Sequence, residues 1–239
     1  MIARGRLTVR SLLAATLIAA SAGSVEADSK SLPLTDFLGV SLDNGIKAVV
    51  VPGEAFSVTA QSSRAGDIQD LKTTVDGGVL KAWYEWNIFQ LFNFSGRDLT
   101  LQITMPELDA VALSGGASLS ANTVPSDDLR LDASGGSRAT LNAASAKRYT
   151  INLSGGATAT ISGTCYNAAI NASGGATLSA KDLICADVTG GLSGGAKASV
   201  TATASVTADA SGGATFQVYG SPTLTRIKSS GGAKIDFPN

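Results

Sequence analysis

Ser-Gly-Gly occurs seven times in this chain, with its serine at positions 114, 134, 154, 173, 193, 211 and 230. The intervals of 20, 20, 19, 20, 18 and 19 residues hold one period along the C-terminal half. A fixed period near this length marks a solenoid, because each repeat buries its apolar face only against its neighbours. Alignment on the serine shows what each place does. One residue before it stand Leu113, Ala133, Leu153, Ala172, Leu192, Ala210 and Ser229. Three before it stand Val111, Leu131, Ile151, Ile170, Gly190, Ala208 and Ile227, with small or polar residues such as Asp132 and Asn152 between. After the glycines and one small residue come Leu119, Ala139, Ala159, Leu178, Ala198, Phe216 and Ile235, flanked mostly by Ser, Thr, Arg and Lys.

Alternation on both sides of a glycine pair predicts strand, corner, strand. Glycine supplies the corner backbone angles that other residues avoid. A leucine-rich repeat would need helical stretches, and a propeller blade needs about twice this period. The expected fold is therefore all-β: a single-domain right-handed parallel β-helix with coils of about 20 residues. Ser114, Ser134, Ser154, Ser173, Ser193, Ser211 and Ser230 are its structural corners. Their stacking offers each hydroxyl a partner one rung away.

Composition agrees. Aromatic residues are only 5% of the 239 and charged residues 15%, while glycine reaches 27. Such a chain fills thin layers with small side chains rather than a bulky core. The N-terminus reads separately: Arg4, Arg6 and Arg10 precede an apolar run from Leu12 to Ala20, and Val25 and Ala27 suit a cleavage after Ala27. That is the pattern of a Sec-type signal peptide over residues 1–27, the apolar run being too short to span a bilayer. Residues 28–239 are then the exported β-helix domain, with irregular first strands and a β cap over 36–112 and regular coils over 113–237. Residues 1–27 hold three of the 18 basic and one of the 19 acidic residues, so cleavage takes the net charge from −1 to −3. The absence of a basic tract argues against nucleic acid as a partner, and no mature segment is long and apolar enough for a transmembrane helix. The expected location is the periplasm, the cell surface or beyond.

Cys165 lies eight residues before Ser173, and Cys185 eight before Ser193. They occupy one place in adjacent rungs, and stacked strands about 4.8 Å apart fall inside the range of a disulfide. An exported chain meets an oxidising compartment, so a Cys165–Cys185 bridge is expected.

Ahead of the coils, 45–61 reads as two short strands around Pro52 and Gly53, and 77–86 and 98–116 as further strands. The segment 83–94 holds Trp83, Tyr84, Trp86, Phe89, Phe92 and Phe94, both tryptophans of the chain among them. It serves either as a plug over the open solenoid end or as a platform for a sugar ring or a partner protein.

No catalytic set emerges. The chain has no histidine, so the corner serines lack the base that a nucleophile needs. Two cysteines without histidine make a poor zinc site. Asp132 and Asp209 share a column four rungs apart, and no facing carboxylate pair suits a glycosidase. No metal or other cofactor is expected.

The pieces "VSLDNGIKAVVV", "GGVLKAW", "LTLQITMPELDAVALSGGASLSA" and "VYGSPTLTRIKSSGGAKI" together resemble the bacterial family described as putative auto-transporter adhesin, head GIN domain. The resemblance spans about residues 36 to 237, and the Cys pair and aromatic segment depart from the family's common pattern. It implies an exported right-handed β-helix and brings no catalytic residues. The functional expectation is a non-enzymatic, adhesin-like interaction module presenting a rigid face to a carbohydrate or a surface protein. The alternatives are a carbohydrate-active lyase or hydrolase on the same scaffold, and an envelope protein that assembles as a homo-oligomer.

Overall fold

The computed structural model of the chain describes residues 28–85, 97–122 and 125–238; the leader expected at 1–27 lies outside them. The N-terminal part holds β1 (Asp28–Leu32), β2 (Gly39–Leu42), β3 (Lys47–Pro52) and β4 (Ser57–Ser62). A short helix α1 (Ala65–Asp70) follows, then β5 (Leu71–Asp76) and β6 (Val79–Tyr84). Beyond come β7 (Leu99–Met105), β8 (Ala110–Leu113), β9 (Ser118–Asn122), β10 (Asp128–Ala133), β11 (Arg138–Ser145) and β12 (Arg148–Leu153). Three long strands, β13 (Thr158–Ala172), β14 (Thr177–Leu192) and β15 (Lys197–Ala210), lead to β16 (Thr215–Tyr219), β17 (Leu224–Ser229) and β18 (Lys234–Asp236).

The coils form a β-solenoid of about six turns. One face stacks β2, β8, β10, β12, the second halves of β13 to β15, and β17, all in parallel. The other stacks β3, β9, β11, the first halves of β13 to β15, then β16 and β18. Cys165 pairs in register with Cys185 and the two are joined, with Cα atoms 4.5 Å apart. The expected bridge is present. It closes 20 residues, and the C165A/C185A double variant should lose about 3 kcal/mol of stability. Denaturant unfolding with and without dithiothreitol checks this: reductant should lower the wild-type midpoint and leave the variant unmoved.

The interior is built from the columns that the repeat predicts. Val111, Leu131, Ile151 and Ile170 are buried on one face, and Leu119, Ala139, Ala159, Leu178, Ala198 and Phe216 on the other. Where the first column thins to Gly190 and Ala208, Phe216 reaches across from the opposite face. A Cβ on Gly190 would stand 2.2 Å from the Phe216 ring. The small residue after each glycine pair, from Ala117 to Ala214, is also buried, because the corner turns it inward where nothing larger fits.

At each corner the first glycine has φ between +57° and +69°, the left-handed region that glycine enters freely. The second glycine donates its N–H to the first glycine's carbonyl one rung back: Gly156 to Gly135 at 2.7 Å, Gly175 to Gly155 at 2.8 Å, Gly195 to Gly174 at 2.8 Å. This corrects the expected hydroxyl stacking. Among the described residues the corners are joined by backbone, and no corner serine hydroxyl bonds to another. The glycine amides point along the axis, and the serine side chains, half-buried or exposed, face outward.

The N-terminal strands are less regular than a first coil. β1 pairs antiparallel with β4, β4 with β7, and β5 with β6, while β6 also joins β2 in parallel. The helix α1, β1 and β5 were not visible as separate elements in the sequence pattern.

Candidate functional site

The outward serines line a feature that the repeat alone did not reveal. A groove of about 800 Å³ runs along the solenoid between the serine column and the column two residues before it. Ser114, Ser134, Ser154, Ser173, Ser193 and Ser211 form one wall, and Asp132, Asn152, Asn171, Gly191 and Asp209 stand along the other. Strand register puts those five in one row. Alternation places both columns outside, since each lies directly beside the buried column Leu113, Ala133, Leu153, Ala172, Leu192 and Ala210. The rungs repeat about every 4.8 Å, so the groove offers hydroxyls at that interval over six corners.

The second wall is stiffened by its own ladder. Arg130 holds the Asp132 carboxylate with Nε at 2.6 Å from Oδ2. Asn152 Nδ2 donates to Asp132 Oδ1 at 2.7 Å, and Asn171 Nδ2 to Asn152 Oδ1 at 3.0 Å. Between Asp132 and Asp209 the row carries only carboxamides and a glycine, so the middle of the groove has no charge. The sequence row was visible in the alignment, but the linked amides were not singled out.

Two members of the aromatic segment fall within the described residues; Trp86, Phe89, Phe92 and Phe94 lie outside them. Tyr84 is buried, with the Arg97 guanidinium 3.9 Å above its ring. Burial, then the nearby Asp67 carboxylate, push its hydroxyl up to about 12. Asp67 in turn accepts from Ser62 Oγ at 3.1 Å and from the Asp98 N–H at 3.0 Å. Tyr84 is thus packed inside the N-terminal β-structure and not presented to solvent. Trp83 alternates to the outside and is half-buried. Ser41 pairs with Lys81 and with Ala112, so continuing the register brings Trp83 into the row of Asp43 and Ser114. Trp83 is not among the residues that line the serine groove.

Two adjacent carboxylates are tied into rung-to-rung ion pairs. Asp127 meets Lys147 Nζ at 2.8 Å, and Asp128 meets Arg148 Nε at 2.6 Å. The Arg148 hydrogen bond holds the exposed Asp128 carboxyl below the usual range. Asp132 and Asp209 lie four rungs apart along the groove, as the spacing required. Among the described residues no group of three metal-ligating side chains converges, and no helix is long and apolar enough to cross a membrane.

Comparison with known proteins gives the following. The family described as putative auto-transporter adhesin, head GIN domain, matches residues 36–222. The crystal structure of a putative adhesin from Bacteroides fragilis NCTC 9343 superposes with a TM-score of 0.83 at 16% identity, over 90% of this chain and 98% of that one. A putative adhesin from Parabacteroides merdae ATCC 43184 gives 0.67 at 14% identity, over 89% and 96%. A putative lipid binding protein from Parabacteroides distasonis ATCC 8503 gives 0.66 at 14%, over 89% and 97%. At these identities the likeness bears on the fold. No curated protein matches the sequence.

Proposed function

This chain belongs to the putative auto-transporter adhesin, head GIN domain family, and on that premise we propose that it is a non-enzymatic, exported adhesin-like module. Its contact surface is the serine groove, which takes an extended polar chain, a polysaccharide foremost, laid parallel to the solenoid axis. The observation that carries this is the groove itself: six corner serines in one line, facing a wall whose middle is the uncharged run Asn152, Asn171 and Gly191 between Asp132 and Asp209. Hydroxyls and carboxamides both donate and accept, which suits the hydroxyls of a sugar chain.

Export rests on the basic, apolar and small-residue order of residues 1–27 together with the family's description. The rigid scaffold accounts for placing the contact on a corner. Because the corners are joined by backbone, the serine side chains are free to serve a ligand.

The test is retention of the chain on a panel of immobilised polysaccharides, with the eluate checked for cleavage products. Ser154→Arg and Ser173→Arg put bulk and charge into the middle of the groove. Each should weaken retention at least about tenfold while unfolding midpoints stay within about 0.5 kcal/mol of wild type, as for other exposed substitutions. Retention unchanged in both variants would remove the groove as the contact surface, and released fragments would make the protein an enzyme.

A further inference from the structure

On the third side of the solenoid, away from the serine groove, the coils bend unevenly. The pairing of β11 with β13 shifts between Leu141 and Ala144, and that of β13 with β14 between Thr160 and Gly163. Here the chain leaves a second groove of about 420 Å³, lined by Ser126, Asp127, Ser145, Lys147, Thr164 and Tyr166 over a floor of Ala146 and Cys165.

Four observations converge on this place. Tyr166 is 68% exposed, a large ring turned to water in a chain with four tyrosines. The backbone that carries that ring is fixed. The N–H groups of Tyr166 and Asn167 both donate to the Lys147 carbonyl at 3.1 Å, and the residue before Tyr166 is anchored to the next rung by the disulfide. The charges cancel, because among the described residues of the lining Asp127 and Lys147 are the only ionic groups and form an ion pair at 2.8 Å. The rest of the rim is hydroxyl, with Ser145 and Thr164 3.2 Å apart.

We propose that this groove is a second binding site, separate from the serine groove, and that it takes one ring of a neutral saccharide. Tyr166 supplies a flat apolar wall for the C–H face of the sugar, a contact that a tyrosine ring suits. Asp127, Ser145 and Thr164 accept or donate to its hydroxyls, and Lys147 donates. A charged sugar gains nothing from a lining whose single cation and single anion already neutralise each other. The Cys165–Cys185 bridge anchors the strand position next to the wall to the following rung.

The experiment titrates the full chain with glucose, mannose and galactose oligosaccharides of four to six units, and with an oligogalacturonate of the same length. Binding is followed by calorimetry and by the ring-proton resonances of Tyr166. Saturable binding of at least one neutral series is expected, with shifts of the Tyr166 ring. Tyr166→Ala should weaken it about tenfold, the scale of one aromatic contact, while Tyr166→Phe stays within about threefold. Ser154→Arg should leave the Tyr166 ring shifts unchanged whatever it does to the calorimetric signal, and this site-specific readout keeps the outcome separate from that of the serine groove. Absence of saturable binding by any neutral series would overturn the proposal, as would tighter binding of the oligogalacturonate, Tyr166 resonances that do not move, or a Tyr166→Ala variant that binds like wild type. The exposed position of Tyr166 lets the alanine variant fold, and the resonance readout on the unsubstituted chain stands independently of it.

Discussion

Alanine at position 163 is expected to cost the fold about 4 kcal/mol or more, among the largest effects of any single methyl group in this chain. Gly163 has φ of 137° and sits in the first of the uneven bends. A Cβ there would stand 1.8 Å from the carbonyl oxygen of Ala144 in the previous rung. The obstacle is backbone, so no side-chain rotation relieves it. The same carbonyl accepts the hydroxyl of Tyr149 at 2.9 Å, and Tyr149 is fully buried. Burial alone pushes that hydroxyl's ionisation above its ordinary range. Moving Ala144 aside therefore breaks a rung-to-rung approach and strands a buried hydroxyl together. Thermal or urea unfolding of Gly163→Ala checks it; a loss under about 1 kcal/mol would mean that the rungs separate easily at this bend. Gly136, by contrast, has nothing within 4 Å of an added Cβ and no positive φ, and alanine there should be close to neutral.

The second large effect concerns Phe216. Truncation to alanine should cost about 3 to 5 kcal/mol, the usual range for a fully buried phenylalanine. Its ring occupies the space that Gly190 and Ala208 vacate in the facing column. Gly190→Val alone drives a side chain into the ring and should also destabilise, by about 2 kcal/mol or more. Together the two changes should be less harmful than their sum by about 1 to 3 kcal/mol, because the valine fills part of the cavity. Gly190 lies in ordinary strand backbone, so its smallness is a matter of space and not of conformation. A double-mutant cycle by denaturant unfolding measures the coupling. Strict additivity would show that the two faces pack independently.

The same pair explains what the sequence could and could not reveal. The columns were legible because corner, alternation and period act locally, residue by residue. The gap at Gly190 stood in plain view in the alignment, but its reason lies across the core on another strand. The disulfide was legible for the opposite cause: two cysteines at one offset in adjacent rungs need only the stacking distance. The hydroxyl stacking expected of the serines failed because a repeat shows which residues recur and not which atom makes the contact; here the glycine backbone does. Tyr166 was passed over because it lies where the period breaks into bulges, away from the offsets that carry the pattern. The serine groove depends on the relative height of two neighbouring columns, a property of side-chain shape in three dimensions. In the N-terminal part, β5 and α1 lack any repeat to reinforce their signals, and β5 pairs antiparallel with β6 where the coils are parallel.

The glycine ladder also decides how such a body answers tension. Its hydrogen bonds run along the axis, one rung to the next. A pull directed along that axis opens them one after another, so the solenoid lengthens by shedding coils at modest force instead of failing at once. A pull across the axis loads the bonds of a long strand together and meets far greater resistance. The covalent bridge between Cys165 and Cys185 interrupts the first kind of opening. It withholds a 20-residue loop, roughly 65 Å of extended chain, so that uncoiling from either end halts with those two rungs still tied together.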